Sequence, residues 1–378
     1  MELGLYLHLP FCISKCPYCD FNSYQLKEDN QISSYISALY KEITTYSQKL
    51  KKSNIRTVYL GGGTPNILSG IQIYNILEFC KDKFTIDKDA EITIEANPGT
   101  LDDEKIKLLI ESGINRLSLG AQSFNDLLLK KLGRIHNTQD IIDSYSLARE
   151  IGFNNINIDI MFALPDQTIE DLQATLKRAV SLKPDHLSLY NLTIKPGTEY
   201  YEKYKGSKLK LPTEDEEFDM YNWAIKFLEE NDFEHYEISN FARPYKRSMH
   251  NLIYWQNKPY LGIGAGAYSF IRGYRYMNFK DPARYIKEVM NDKLPIDNGE
   301  KLSLRKRMIE TIILGLRTKD GVSYKKYKKR FGVDLNDIFP QQIKKLVNLG
   351  LLQKDNYKIK LTKKGVFLAN TVFREFVD

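Results

Sequence analysis

The chain has 378 residues, 42% of them hydrophobic and 27% charged, with a formal net charge of +7. That length supports a large core and more than one domain, and the composition excludes a disordered or fibrous chain. No apolar run is long enough to span a membrane and Met1-Glu2-Leu3-Gly4 does not open a signal peptide, so the sequence predicts a cytoplasmic protein whose thiols stay reduced.

In chain order, Leu3–Leu9 reads as a short buried strand closed by Pro10. Three of the four cysteines, Cys12, Cys16 and Cys19, follow within eight residues. Apolar residues at helical spacing (Ile32, Tyr35, Ile36, Leu39, Tyr40, Ile43) predict a helix over Gln31–Leu50. Strands are predicted at Thr57–Leu60, Glu91–Ala96, Arg116–Gly120, Asn155–Phe162 and His186–Tyr190. Helices are predicted between them at Ile71–Phe84, Asp102–Ser112, Phe124–Leu132, Thr138–Ile151 and Ile169–Leu182. Six strand-then-helix units predict a parallel sheet. Cys12, the run Gly61-Gly62-Gly63-Thr64-Pro65, Glu95, Gln122, Asp159 and Tyr190-Asn191 all fall at or near carboxyl ends of these strands. Convergence of special residues at every strand end favours a barrel-like α/β sheet of six units over an open doubly wound one.

After Lys195-Pro196-Gly197-Thr198 the pattern changes to a long amphipathic helix, Thr213–Asn231, then the run His250-Asn251-Leu252-Ile253-Tyr254-Trp255 and a glycine-rich segment, Tyr260–Ser269. Residues 301–378 carry 19 Lys and Arg against 7 Asp and Glu, a local charge of +12 on a body of −5. Their order of helices with a short hairpin at Leu351–Leu361 resembles a winged helix. The expected division is residues 1–200 for the barrel core, 201–299 for an extension that completes it, and 300–378 for the basic domain. A lysine-rich tail fits an anionic partner, including nucleic acid, or simply a solvated face. Its charges are dispersed without a recognition-helix signature, which disfavours nucleic acid.

The Cys-x3-Cys-x2-Cys spacing of Cys12, Cys16 and Cys19 places three thiolates on one short loop. Iron–sulfur cubanes are held by thiolates, usually four, so a trio leaves one iron open. A zinc site completed by His8 or Asp20 is the alternative, although zinc sites favour paired cysteines some distance apart. Cys80 shares a helix face with Ile73, Ile76, Leu77 and Phe84 and reads as a core thiol.

This loop after a first βα strand, with an aromatic residue before its last cysteine, resembles the radical S-adenosylmethionine (radical SAM) superfamily. The resemblance implies a [4Fe–4S] cluster on Cys12, Cys16 and Cys19 whose open iron chelates SAM, and reductive cleavage of SAM to a 5′-deoxyadenosyl radical. It further implies SAM contacts from Tyr6, Tyr18, Gly62, Gly63, Thr64, Glu95, Gln122, Arg134 and Asp159. Read singly, each of these is equally an ordinary polar or glycine position at a strand end.

Tyr6–Cys12, Gly61–Pro65, Arg116–Phe124, Leu164–Thr168 and the basic tail are similar to the coproporphyrinogen oxidase-like branch of that superfamily. Two subfamilies compete: the oxygen-independent coproporphyrinogen III oxidase, which decarboxylates two propionates to vinyls, and the HemW heme chaperones. The oxidase carries a further cysteine where this chain has Phe21, and a long extension before the first strand, which here starts almost at Met1. The segments Glu237–Ala242 and His250–Trp255 resemble HemW. This resemblance implies heme as cargo, an accepting protein of the respiratory, membrane-associated kind, and a peripheral position at the membrane; a homodimer is compatible with it. It also implies His250, Tyr254 and Trp255 as heme contacts, since heme takes an axial ligand and aromatic walls. A structural histidine beside a core tryptophan is the competing reading. Whether such a protein is an enzyme, and whether SAM is cleaved in its function, stays open at this level.

Overall fold

The computed structural model describes residues 1–28, 30–51 and 53–377. Asp378, the last residue of the expected basic domain, lies outside them.

Six strand–helix units follow one another: β1 (Glu2–Leu9), α1 (Asn30–Lys49), β2 (Asn54–Gly62), α2 (Gly70–Lys83), β3 (Thr85–Ala96), α3 (Asp103–Glu111), β4 (Arg116–Gln122), α4 (Asp126–Lys131), α5 (Thr138–Ile151), β5 (Ile156–Phe162), α6 (Ile169–Ser181) and β6 (His186–Asn191). After them come α7 (Glu199–Lys205), α8 (Glu214–Glu230), β7 (Glu234–Glu237), β8 (Asn240–Ala242), α9 (Met249–Trp255), β9 (Tyr260–Ile263), β10 (Tyr268–Ile271), β11 (Tyr274–Asn278), α10 (Pro282–Met290) and β12 (Ile296–Lys301). The twelve strands form one sheet in the order β12-β11-β10-β9-β1-β2-β3-β4-β5-β6-β8-β7. From β9 through β1 to β6 every pair is parallel. Because β1 to β6 stand in sequence order with no reversal, there is no switch point, and the sheet curls into a partial (β/α)6 barrel.

Strand alternation explains what lies on each side. Val58 and Leu60, Ile92 and Ile94, Leu117 and Leu119, Ile158 and Ile160, and Leu187 and Leu189 are buried in one apolar core. Residues that alternate with them, Tyr59, Glu95, Ser118, Asn157, Asp159 and Ser188, line a cavity instead. Successive side chains on a strand point to opposite faces, so apolar residues meet the helices and polar ones fill the lumen. Parallel strands buried on both faces normally read as unbroken apolar runs. This barrel keeps a polar interior, and the lumen is therefore built to hold something polar.

Four helices start at a cap their sequence supplies. Ser69, Asn137, Thr168 and Thr213 each form a capping box with the residue three positions on, a device worth about 1 kcal/mol apiece. Cys80 is fully buried on α2, and burial pushes its thiol up to about 12.

A second hydrophobic core gathers Met308, Ile312 and Leu316 of α11 (Leu304–Leu316) with Tyr327, Phe339, Ile343, Leu346, Ile359 and Phe373. A three-stranded sheet of Val322–Ser323, Lys358–Leu361 and Leu352–Lys354 completes this winged-helix-like unit. The last helical stretch of the chain divides in two, Lys363–Phe367 and Ala369–Arg374. Leu368 between them has φ −104° and ψ 27°, and the break lets Val366, Val372 and Phe373 face the same core. Glu237 at the end of β7 bridges to Thr318, and Arg317 lies 4.5 Å over the Trp255 ring, so the second unit is attached to the rim strand and to α9.

Candidate functional site

The three cysteines, Tyr18 and the carboxyl ends of β2 to β6 enclose a cavity of about 420 Å³. The loop that carries the thiols is held by backbone bonds. Cys19 N–H donates to Cys16 O at 3.1 Å, Tyr24 N–H to Pro10 O at 2.7 Å and Leu26 N–H to Cys12 O at 2.9 Å. Lys15 Nζ donates to the carbonyls of Phe21 and Ser23, and Asn22 Nδ2 donates to Ala265 O at 3.0 Å in the glycine-rich segment.

Each thiol has its own polar neighbour. Thr64 Oγ1 donates to Cys12 Sγ at 3.6 Å, Arg134 Nη1 to Cys16 Sγ at 3.7 Å, and Ser23 Oγ lies 4.0 Å from Cys19 Sγ. Burial raises the Cys12 and Cys19 thiols, and the Thr64 and Ser23 hydroxyls work against that rise. Among the described residues no three His, Cys, Asp or Glu groups converge on one common ion. His8, a candidate fourth ligand for zinc, has both ring nitrogens engaged, Nδ1 with Tyr6 OH and Nε2 with Asn22 O, each at 2.9 Å. Three thiols around one opening, each with a donor, fit a multi-iron cluster better than a single zinc ion.

The glycine run serves the loop as much as any ligand. Gly63 N–H donates to Leu9 O at 2.9 Å. A Cβ on Gly63 would stand 2.5 Å from Phe11 O and 2.9 Å from Cys12 Sγ, and Gly62 adopts φ +124°. Only glycine lets β2 end this close beneath the cysteines.

Below the thiols the lumen is a hydrogen-bonded layer. Glu95 accepts from Tyr59 OH at 2.8 Å and from Gly62 N–H at 3.2 Å. Burial lifts its carboxyl to about 7, and the nearby Asp159 adds to the rise. Asp159 accepts from Asn157 Nδ2 at 2.8 Å and Ser118 Oγ at 3.0 Å, and burial raises its carboxyl too. Arg116, 2% exposed, joins them with its Nε unpartnered. Arg134 is fixed by Nη2, which donates to Asn97 Oδ1 at 2.6 Å and Gly120 O at 2.9 Å.

The structure thus gathers Cys12, Cys16, Cys19, Tyr18, Gly62, Gly63, Thr64, Glu95, Gln122, Arg134 and Asp159 around one cavity. Tyr6 is not on its lining; it stacks behind Tyr59 at 6.1 Å. Sequence reading missed Ser23 and Asn97 beside the thiols and the lumen residues Tyr59, Ser118, Asn157 and Ser188. Period-two alternation in the strands was the signal that marks the lumen set.

The His-Asn-x-x-Tyr-Trp run lies at the other end of the barrel. Met249 and His250 N–H groups both donate to Glu91 at 2.9 Å, so a carboxylate sits on the start of α9. His250 Nδ1 meets Thr57 Oγ1 at 2.7 Å and Nε2 meets Tyr254 OH at 2.8 Å. The imidazole is 1% exposed, and burial lowers it to about 3. Expected as a heme contact, His250 in this structure offers no free nitrogen to a ligand; it seals the closed end of the barrel. Trp255 packs under Arg317, and Asn251 alone of the run borders the cavity.

Comparison with known proteins supplies the relatives. Residues 6–179 match the radical SAM superfamily, and residues 302–368 match the HemN C-terminal domain. The chain is 39% identical to the heme chaperone HemW of Lactococcus lactis, over 98% of this chain and 96% of the relative. It is 38% identical to the heme chaperone HemW of Bacillus subtilis, over 98% of both. Among solved structures, the coproporphyrinogen III oxidase HemN of Escherichia coli, described as a radical SAM enzyme, aligns with a TM-score of 0.87 at 28% identity, over 99% of this chain and 90% of the other. The superfamily implies a [4Fe–4S] cluster and SAM, and the donor set around the cavity has the chemistry to hold them.

Proposed function

We propose, from the premise that this chain belongs to the HemW family of the radical SAM superfamily, that it is a heme chaperone, binding heme and delivering it to an accepting protein. The observation that carries this reading is the 38–39% identity to heme chaperones across nearly the whole chain. Phe21, at the position where the oxidase resemblance calls for a further cysteine, supports it.

Cys12, Cys16 and Cys19 would hold the cluster, and Glu95, Gln122, Arg134, Asp159 and the Gly62–Thr64 turn would face SAM. When bound, the cluster and SAM supply one-electron chemistry that no side chain here provides. The protein's own part is to position and shield. Thr64, Arg134 and Ser23 present polar hydrogens toward the three sulfurs, which favours the thiolate forms. Glu95 is poised near neutrality, so its carboxylate can face a cationic ammonium while Tyr59 and the Gly62 N–H hold it in place. Leu128, Leu132, Met161 and Leu164 pack beside Tyr18 and keep water from the flank of the loop.

No helix among the described residues is long and apolar enough to cross a membrane. We propose a cytoplasmic protein that meets its acceptor, a respiratory protein, at the membrane face through the basic residues of 300–378, with 1–200 as the radical SAM core and 201–299 completing the barrel. Homodimerisation belongs to the same proposal. The experiment is a turnover assay. After anaerobic reconstitution with iron and sulfide, coproporphyrinogen III, SAM and a reductant are added and protoporphyrinogen is sought. No product, with heme bound in a parallel titration, is the expected result; sustained turnover would replace the chaperone by the oxidase.

A further inference from the structure

The mouth of the cavity is rimmed by apolar side chains that stand in water. Phe21 is 66% exposed, Ile135 61% and Ile13 52%, and all three border the same opening. Ile13 lies between Cys12 and Cys16, Phe21 follows Cys19 by two residues, and Ile135 follows Arg134 on the loop after α4. Single exposed apolar residues are ordinary, but three around one opening form a patch of the kind that marks a binding surface. Lys15 and Lys195 share the rim with Arg134, against one carboxylate, Asp20. Lys15 spends its ammonium on two backbone carbonyls rather than on an acid.

The space below the rim has a different character. It is walled by Glu95, Ser118, Asn157 and Asp159, groups that suit a polar, charged ligand and penalise an apolar one. At about 420 Å³ it lies toward the small end of pockets that enclose one ligand, and a molecule of SAM's size leaves no room in it for a macrocycle. A flat apolar dianion needs the opposite surface, apolar at its face and cationic at its edge. From the juxtaposition of Phe21, Ile13 and Ile135 with Lys15 and Lys195, we infer that heme lies across the mouth of the barrel, its ring on the three apolar side chains and its propionates toward the two lysines. This site rests on the chaperone reading and adds to it the place of the cargo, over the cluster loop rather than at His250.

The test titrates ferric heme, followed in the Soret band, into the reconstituted holoprotein. Phe21→Asp and Ile135→Asp are each expected to weaken heme binding about tenfold, since each removes an apolar contact and adds a charge, with iron and sulfide content unchanged. Should an aspartate variant lose its cluster, Phe21→Ala gives the same direction with a smaller effect. Lys195→Gln is expected to narrow the preference for heme over heme dimethyl ester, which has no carboxylates. A double aspartate variant with full cluster and wild-type heme affinity would overturn the rim site and leave the chaperone reading standing, as would loss of binding in His250→Gln alone. Equal discrimination by Lys195→Gln would overturn its role as propionate partner. A wild-type protein that binds no heme would overturn the chaperone reading, and the site with it.

Discussion

Arg134 Nη1 donates to Cys16 Sγ at 3.7 Å across 118 residues of sequence. The guanidinium is held there by Asn97 and the Gly120 carbonyl, so one side chain from the loop after α4 sets the charge environment of a thiolate on the loop after β1.

Replacing Arg134 by Gln removes a cation and a hydrogen-bond donor from a cluster sulfur. Hydrogen bonds and charge near the sulfurs raise the potential of an iron–sulfur cluster. The Arg134→Gln cluster is therefore expected at a lower reduction potential, by a shift on the order of tens of millivolts. Redox titration monitored by electron paramagnetic resonance measures it, and an unchanged potential would remove Arg134 from the cluster's environment.

Gly63→Ala tests the contact beneath the loop. Its Cβ would meet Phe11 O at 2.5 Å and Cys12 Sγ at 2.9 Å, and both belong to the loop that must yield. Overpacking of this kind costs about 1–3 kcal/mol. The expected outcome is a folded chain that takes up much less iron on reconstitution, read as iron per chain beside the circular dichroism spectrum. Full iron content would mean that the loop adapts freely.

Glu95 gives a pH dependence. Burial first, then the Asp159 charge, lifts its carboxyl from 4.5 to about 7. A carboxyl raised on folding stabilises the native chain below about pH 4.5, and that contribution is lost as pH rises through about 7. Glu95→Gln cannot titrate, so the cluster-free variant is expected to lose less stability than wild type between pH 5 and pH 8, by up to about 3 kcal/mol. Urea unfolding at the two pH values checks the difference, and parallel curves would show that Glu95 is ionised throughout. Glu42, also lifted to about 7 by burial, stays in both proteins and cancels.

His250 separates architecture from ligation. Truncation to Ala leaves Thr57 Oγ1 and Tyr254 OH without their shared partner and opens a void at the closed end of the barrel. The expected cost is about 3 kcal/mol of stability, with unchanged heme affinity below the unfolding transition. Denaturant unfolding and Soret titration on the same sample measure both. Stability intact with heme affinity lost would make the imidazole a ligand in a conformation other than this one.

Much of the fold was legible in order along the chain. The six barrel strands and the helices between them were located, because apolar period is local, whereas α7 (Glu199–Lys205) was not foreseen. The strand Thr85–Ala96 ran longer than expected, because Thr85 and Ile86 pair with Asn54 and Ile55 of β2 ahead of a register shift that spans the charged Asp87-Lys88-Asp89. At the site, residues of distinctive chemistry (Cys12, Cys16, Cys19, the glycines, Glu95, Asp159) were found. Ser23, Asn97 and Tyr59 were not, since nothing in their type sets them apart until the loop and the strand ends meet.

The sequence by itself determined what is short-ranged. Three thiols at spacings of three and two residues must share a loop, and polar residues alternating with apolar ones along each strand must share a face. Tertiary structure alone decided which groups of that face meet and which way the helix after them points. Closure of β1 to β6 brings Arg134 to Cys16 and hides Tyr6 behind Tyr59. The packing of α9 against Thr57 and Glu91 turns His250 into the barrel wall. Those outcomes depend on contacts between residues tens to hundreds of positions apart, where local propensity carries no information and the balance of buried hydrogen bonds does.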